Sequence, residues 1–273
     1  FRVGGRGGGA DVIVGTMYNF RGFVDVSLFG CCAIKNIATH GSSRQKLADR
    51  GSVEGVLVAM QTHKGDQNVQ KNGCGALANL SICDGAELRI ADRGGIEVII
   101  EAMCTHRASH GVQRNGCWAL SNLAFSEKNL SRIVERSGIE VIIAALALHK
   151  AREAVAENGC WALANIAFDS DNEVRIASCG GIEAIVTSMQ LHKASAGLQR
   201  AGCRALSSIL STPEQHRRFM SQAVLDAVGE AASRFPDLRE IRHSLYSIRR
   251  VEDPSVTRAK RESLCTLVYA PSC

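Results

Sequence analysis

Apolar and polar positions follow a helical rhythm along this chain, and the rhythm itself repeats. In Asn115-Gly116-Cys117-Trp118-Ala119-Leu120-Ser121-Asn122-Leu123-Ala124 the larger aliphatic residues recur at helical spacing, the mark of one buried face. The stretch returns as Asn158-Gly159-Cys160-Trp161-Ala162-Leu163-Ala164-Asn165-Ile166-Ala167, and more loosely three other times. Cys31, Cys74, Cys117, Cys160 and Cys203 mark the copies, each 43 residues from the next. A strict period of that length is the signature of stacked helical repeats, none of which can bury its apolar face alone.

Three helices are predicted in each full repeat. The first is short, over 42–50, 85–93, 128–136, 171–179 and 213–221. In most copies it closes at a Gly-Gly or Ser-Gly pair (Gly94-Gly95, Ser137-Gly138, Gly180-Gly181), which permits the left-handed backbone that ends one helix and turns sharply into the next. The second starts at Val53, Ile96, Ile139, Ile182 and about Leu225. It finishes near His63, His106, His149 and His192, each followed by Lys or Arg. Cations there suit the partial negative charge of a helix C-terminus. The third and longest helix runs over 67–82, 110–125, 153–168 and 196–210 and carries the cysteine.

This register divides the chain into a truncated first repeat (1–41), four repeats (42–84, 85–127, 128–170, 171–212), a degenerate capping repeat (213–250) and a polar, basic tail (251–273) expected to be disordered. The cap has Tyr246 in the cysteine slot, and an atypical end repeat is what a stacked array requires. The glycine-rich opening, 1–9, could pass for a phosphate loop or an RGG segment. No Gly-Lys-Ser/Thr follows it, and a shift of 43 puts Gly8 and Gly9 onto Gly51 and Ser52, the inter-helix turn. Beginning at Phe1 rather than Met, the chain reads as a fragment of a longer protein.

A helical wheel of the third helix separates its two sides. With Gly116 as zero, Leu120, Leu123 and Ala124 fall at about 40°, 340° and 80°, while Arg114, Trp118 and Asn122 fall at about 160°, 200° and 240°. The largest side chain of the repeat therefore points away from the core, beside an amide and a cation. Three slots on this side read Cys32, Gly75, Trp118, Trp161, Arg204; then Asn36, Asn79, Asn122, Asn165, Ser208; and Leu28, Lys71, Arg114, Glu157, Arg200. Gap filling between neighbouring third helices would explain the tryptophans; so would the floor of a binding groove. Gly30, Gly73, Gly116, Gly159 and Gly202 each cost helix stability of about 1 kcal/mol against Ala, offset by close approach of a neighbouring helix, with the adjacent cysteines as small packing residues.

Composition narrows the chemistry. The chain has 273 residues, 45% hydrophobic and 22% charged, with a net charge of +5 that is too mild to define a nucleic-acid or membrane binder. Eleven cysteines suggest disulfides at first sight, but one per repeat leaves neighbours roughly 8–10 Å apart, beyond disulfide reach. Free thiols in a packing slot imply a reducing compartment, cytoplasmic or nuclear. No metal site is expected, since Cys31 and Cys32 diverge on a helix and no Cys-x-x-Cys or His-x-x-x-His pair exists. Cys-His catalysis is disfavoured because His149 and Cys160 lie roughly 10 Å apart along the helix axis. No apolar run is long enough to span a bilayer. Nucleic acid is disfavoured as a partner because no series of aromatics is present to stack on bases.

With a short helix, a Gly-Gly turn and a Trp-x-x-x-Asn third helix, residues 8–250 resemble the armadillo repeat family. The resemblance implies an all-α, right-handed superhelical solenoid of about six repeats, third helices lining a concave groove, and a non-catalytic scaffold without cofactors. In importin-alpha-like members the Trp and Asn of this motif hold an extended peptide; here those positions are Trp118, Trp161, Asn36, Asn79, Asn122 and Asn165. An asparagine amide carries both donor and acceptor and can satisfy a ligand backbone, and the two indoles form a slot for an aliphatic stem or a cation. Replacing Asn122 and Asn165 by Ala is then expected to weaken binding and leave thermal stability nearly unchanged. Around the groove Lys71, Arg114, Arg200 and Arg204 outnumber Glu153 and Glu157. That charge departs from a receptor for basic import signals and favours neutral, acidic or phosphorylated protein segments, as in beta-catenin-like members. The alternative is a structural spacer within a larger multidomain protein.

Overall fold

The protein is described by a computed structural model covering residues 8–249; the readings made for 1–7 and for the tail 251–273 lie outside the described residues. Among those residues there are helices and no strands: α1 (Gly9–Asn19), α2 (Val24–Ile37), α3 (Gly41–Asp49), α4 (Ser52–Thr62), α5 (Gln67–Leu80), α6 (Ala86–Asp92), α7 (Gly95–Thr105), α8 (His110–Leu123), α9 (Glu127–Glu135), α10 (Gly138–Leu148), α11 (Glu153–Ile166), α12 (Ser170–Ser178), α13 (Gly181–Leu191), α14 (Ala196–Ile209), α15 (Pro213–Phe219), α16 (Gln222–Arg234) and α17 (Arg239–Arg249). The helix bounds keep the sequence register. Every second helix from α1 to α13 spans 11 residues and every third helix from α2 to α14 spans 14. The eroded final repeat departs from it, with α16 beginning at Gln222 ahead of Leu225.

The chain forms two compact units, Phe1–Val141 and Ile142–Cys273, divided within α10. In the first, the third helix α5 packs against both α2 and α8, while α4 and α7 lie against α5 and α8. In the second, α14 packs against α11 and α17, with α13 on α14 and α16 on α17. Each unit is a stack in which third helix lies on third helix.

Local chemistry sets the turns. Gly51, Gly94 and Gly180 enter their second helices at φ 79°, 81° and 83°, and Ser137 takes the same left-handed conformation at φ 62°. Gly8, their counterpart in the first copy, has φ −62° and needs no such freedom. Third helices start at side-chain caps: Asp66 accepts from the Asn68 and Val69 amides, Ser109 from Val112 and Ser195 from Leu198, whereas Arg152 in the same slot provides no cap.

The repeated glycine admits the second helix of its own repeat. A Cβ on Gly30, Gly73, Gly116 or Gly202 would come within 2.4–2.6 Å of Met17, Met60, Met103 or Met189, and one on Gly159 would meet Leu146 at 2.6 Å. The cysteine beside each glycine is wholly buried.

The histidines act differently from the helix-dipole expectation. Nε2 of His63, His106 and His192 donates to the carbonyls of Arg21, Lys64 and Lys150, each at 2.8 Å and 42 residues earlier. These bonds tie one repeat to the next. The cations that follow turn to acids instead, Lys64 to Glu101 at 2.7 Å and Lys193 to Glu230 at 2.9 Å. The orphan carbonyls at the second-helix ends are met by glutamines of the third helix. Gln70, Gln113 and Gln199 each donate from Nε2 to a Met carbonyl (Met60, Met103, Met189) at 2.8 Å and to the capping histidine's carbonyl at 2.9–3.1 Å.

Candidate functional site

The wheel separates the third helices as expected, with one exception. In the first unit Arg114 is exposed and Trp118 and Asn122 are half-buried on α8; on α5, Lys71 is half-buried but Asn79 is only 4% exposed. The asparagines have a role the wheel does not reveal. Nδ2 of Asn79 donates to the Lys35 carbonyl at 2.8 Å, and Nδ2 of Asn122 to the Ala78 carbonyl at 3.0 Å. Asn115 does the same toward Lys71 at 2.7 Å. All three acceptors lie 44 residues back, on the preceding third helix.

A ladder of amides therefore ties neighbouring third helices through backbone carbonyls, that of Lys71 inside α5 and those of Lys35 and Ala78 in the last turns of α2 and α5, where helical N–H partners run out. Against the expectation of nearly unchanged thermal stability, losing this half-buried tie of Asn122 should cost roughly 1 kcal/mol. Asn122 stays half-buried, whereas Asn79 is sealed. Asn36, with no third helix before it among the described residues, is exposed and its amide reaches the Cys32 thiol at 3.6 Å.

The Trp slot of α5 holds Gly75, and the space is used by a residue that the periodic reading passes over. A Cβ on Gly75 would lie 2.8 Å from Lys35 Cδ and 2.9 Å from Asn115 Nδ2, and Lys35 Nζ donates to Asn72 Oδ1 at 2.7 Å. Lys35 has small residues in the same slot of later repeats (Ala78, Ser121, Ala164), so the period gave no sign of it. Arg114 Nε donates to Asn115 Oδ1 at 3.0 Å, so cation and amide ladder are joined.

In the second unit Glu157, Trp161 and Asn165 are half-buried on α11, and Arg200, Arg204 and Ser208 half-buried on α14. The Arg200 guanidinium lies 5.6 Å and that of Arg204 6.0 Å from the Trp161 ring centroid, both within cation–π range. Burial pushes the Glu157 carboxyl up, Arg200 pulls it down, Glu153 raises it, and a hydrogen bond with Trp161 lowers it; burial prevails. Gly197 makes room for this carboxylate, since a Cβ there would sit 2.6 Å from Glu157 Oε1. The Trp161 ring, expected to take a ligand cation, already has two cations of its own chain over it.

The repeat thiols are poor nucleophiles. Burial pushes Cys31, Cys74, Cys117 and Cys203 up to about 12, so each is protonated at neutral pH. Among the described residues no group of three His, Cys, Asp or Glu could hold a metal, and no helix is long and apolar enough to cross a membrane.

Fold and face together define an all-helical, armadillo-like repeat protein. No protein-family model matches the chain, and no curated protein matches it in sequence. Among solved structures, the crystal structure of an engineered protein is 25% identical, with a TM-score of 0.70 over 89% of this chain and 97% of that one. A structure from work on a phosphorylation switch controlling the interaction between cadherin and beta-catenin has a TM-score of 0.60 at 12% identity, covering 94% of this chain. This chain spans 58% of the length of that second protein, and at such identity the likeness is one of fold.

Proposed function

We propose that this protein is a non-catalytic interaction module that receives an extended segment of a partner protein on its third-helix face. The observation that carries the reading is a half-buried tryptophan on a third helix of each unit: Trp118 on α8, with Arg114 and Asn122 at helical spacing, and Trp161 on α11, with Asn165 at that spacing and Arg200 and Arg204 over its ring. Each is the largest side chain of its repeat and stays partly in water, where an amphipathic ring can offer contact area to a partner. In this reading Trp118 and Trp161 supply contact area, and Asn36, Asn122 and Asn165 offer amide groups to a ligand backbone. Lys71, Arg114, Arg200 and Arg204, which outnumber Glu153 and Glu157, set a preference for neutral, acidic or phosphorylated segments. The sealed Asn79 is left out of direct contact. Protonated thiols in the packing slot fit a reducing compartment, cytoplasm or nucleus.

The structural-spacer reading draws support from the amide ladder, which gives the asparagines a purpose inside the stack. One experiment separates the two. The intact protein and a Trp118→Ala/Trp161→Ala variant are compared in peptide-array binding, with circular dichroism to verify the fold. Loss of array binding by a folded variant is expected. A wild type that binds no peptide, or a folded variant that binds as well as wild type, would leave only the spacer.

A further inference from the structure

Within the first unit each layer shows its neighbours two unlike surfaces. Toward the layer that follows it offers backbone carbonyls, and toward the layer before it offers side-chain donors. His63 and His106 reach back to the Arg21 and Lys64 carbonyls, and Asn79 and Asn115 to those of Lys35 and Lys71. The layer of α1 and α2, which has none before it among the described residues, breaks this rule. Phe20 stands 43 residues before His63, and Phe29 stands 43 residues before Asn72, in the slot of Asn115. Neither side chain can donate. Asn36, the ladder amide kept here, turns to the Cys32 thiol of its own helix. Phe23 takes the capping slot of Asp66 and Ser109, and its ring lies 6.3 Å from that of Phe20. The three rings are 51% (Phe20), 65% (Phe23) and 68% (Phe29) exposed, and Val12 and Ile37 are open where their counterparts Val98 and Leu123 are buried.

A like layer seated in the usual register would bring carbonyls that find no histidine or asparagine partner at Phe20 and Phe29. The surface that fits is one that needs no such donors, and a second copy of the chain brings it in its own α1 and α2. Exposed Arg21 and Asp25 add one charge of each sign, which lets a two-fold axis set the arginine of one copy toward the aspartate of the other. The rings with Val12, Val24 and Ile37 supply roughly 500 Å² of apolar surface per copy, against about 600–800 Å² for each partner of a specific interface, whose rim is polar. We propose that α1 and α2 form a self-association face on which a second copy docks about a two-fold axis, with aromatic rings in place of the imidazole and amide ties. The inference goes beyond the peptide-binding reading and does not depend on it, since the tryptophan-bearing helices α8 and α11 take no part.

Sedimentation equilibrium and light scattering on the intact chain, over about 1–200 μM, provide the test. The mass is expected to rise with concentration and to level at two copies, with a dissociation constant in the micromolar range. Phe20→His/Phe29→Asn installs the residues that later layers carry at these positions. Both sites are exposed, so circular dichroism should be unchanged while dimerisation weakens by at least about tenfold. Phe23→Ser, which restores the residue of the Ser109 slot, covers the case in which the double variant does not fold, and it should weaken the dimer in the same direction.

A wild type that stays monomeric at every concentration, or a dimer of unchanged strength in the folded variants, would overturn the proposal. So would a mass that keeps growing past two copies, because a front-to-back contact between stacks does not close. A chain that dimerises only after residues 1–7 are removed would assign the face to that leading segment and overturn it equally.

Discussion

The repeated glycine of the third helix gives the sharpest test of how these layers pack. Inside a helix Gly→Ala alone should stabilise by about 1 kcal/mol. At Gly159, however, the new methyl would lie 2.6 Å from Leu146 Cδ2 and 2.9 Å from Cγ. Carbon atoms rest about 3.5–4.0 Å apart, so Leu146 would have to retreat by roughly 1 Å. Leu146 is only 1% exposed and branched at the atom in the way. Overpacking of this kind costs about 1–3 kcal/mol, so Gly159→Ala should destabilise by up to about 2 kcal/mol net. At Gly116 the obstructing atoms are Met103 Sδ at 2.5 Å and Cγ at 2.6 Å. An unbranched thioether chain swings aside more easily, and Gly116→Ala should cost about 1 kcal/mol less than Gly159→Ala. Chemical denaturation followed by far-ultraviolet circular dichroism measures both. The decisive arm is a double-mutant cycle. In a Leu146→Ala background the obstruction is gone, so Gly159→Ala should become stabilising, with a coupling of about 2 kcal/mol. If Gly159→Ala costs no more than Gly116→Ala, or if its cost survives Leu146→Ala, contact with the second helix is not why the slot is glycine.

Three further outcomes follow from single residues. Arg152 occupies the N-cap slot held by Asp66, Ser109 and Ser195 elsewhere without capping, so Arg152→Ser should stabilise by about 1 kcal/mol, measured as a raised melting temperature. Ser137, left-handed at φ 62°, should gain from Ser137→Gly, because the backbone penalty of about 1–2 kcal/mol outweighs glycine's extra unfolded-state entropy of about 0.5–1 kcal/mol; unchanged denaturant midpoints would contradict this. Burial raises the Cys31, Cys74, Cys117 and Cys203 thiols from their ordinary 9.0 to about 12. The folded state therefore holds protons that the unfolded state releases: their contribution is fully present below pH 9 and lost as pH rises toward 12. Each thiol steepens that loss by up to roughly 1.4 kcal/mol per pH unit, and Cys74→Ala should make the alkaline limb of the stability profile shallower by about that amount.

The helices and their register were legible in the order of residues alone. The cysteine ruler, the apolar spacing and the Gly-Gly pairs depend on neighbours a few residues away, and backbone rules act at that range. Hence the second helices begin within a residue or two of Ile96, Ile139 and Ile182, and the left-handed turns fall at Gly94, Ser137 and Gly180. The wheel likewise found the side on which Trp118 and Asn122 remain partly exposed. What these side chains touch was set by packing between distant parts of the chain. The Asn122 amide spends an N–H on Ala78, His106 reaches the Lys64 carbonyl, Lys35 fills the space above Gly75, and Arg204 lies over Trp161. Each of these contacts joins residues about one period apart, and a period states which residues are equivalent without stating how far one layer is shifted or rotated on the next. That offset comes from packing between successive third helices, as where Lys35 lies against Gly75, and it determines whether a polar group on the third helix faces a ligand or a carbonyl of its own chain.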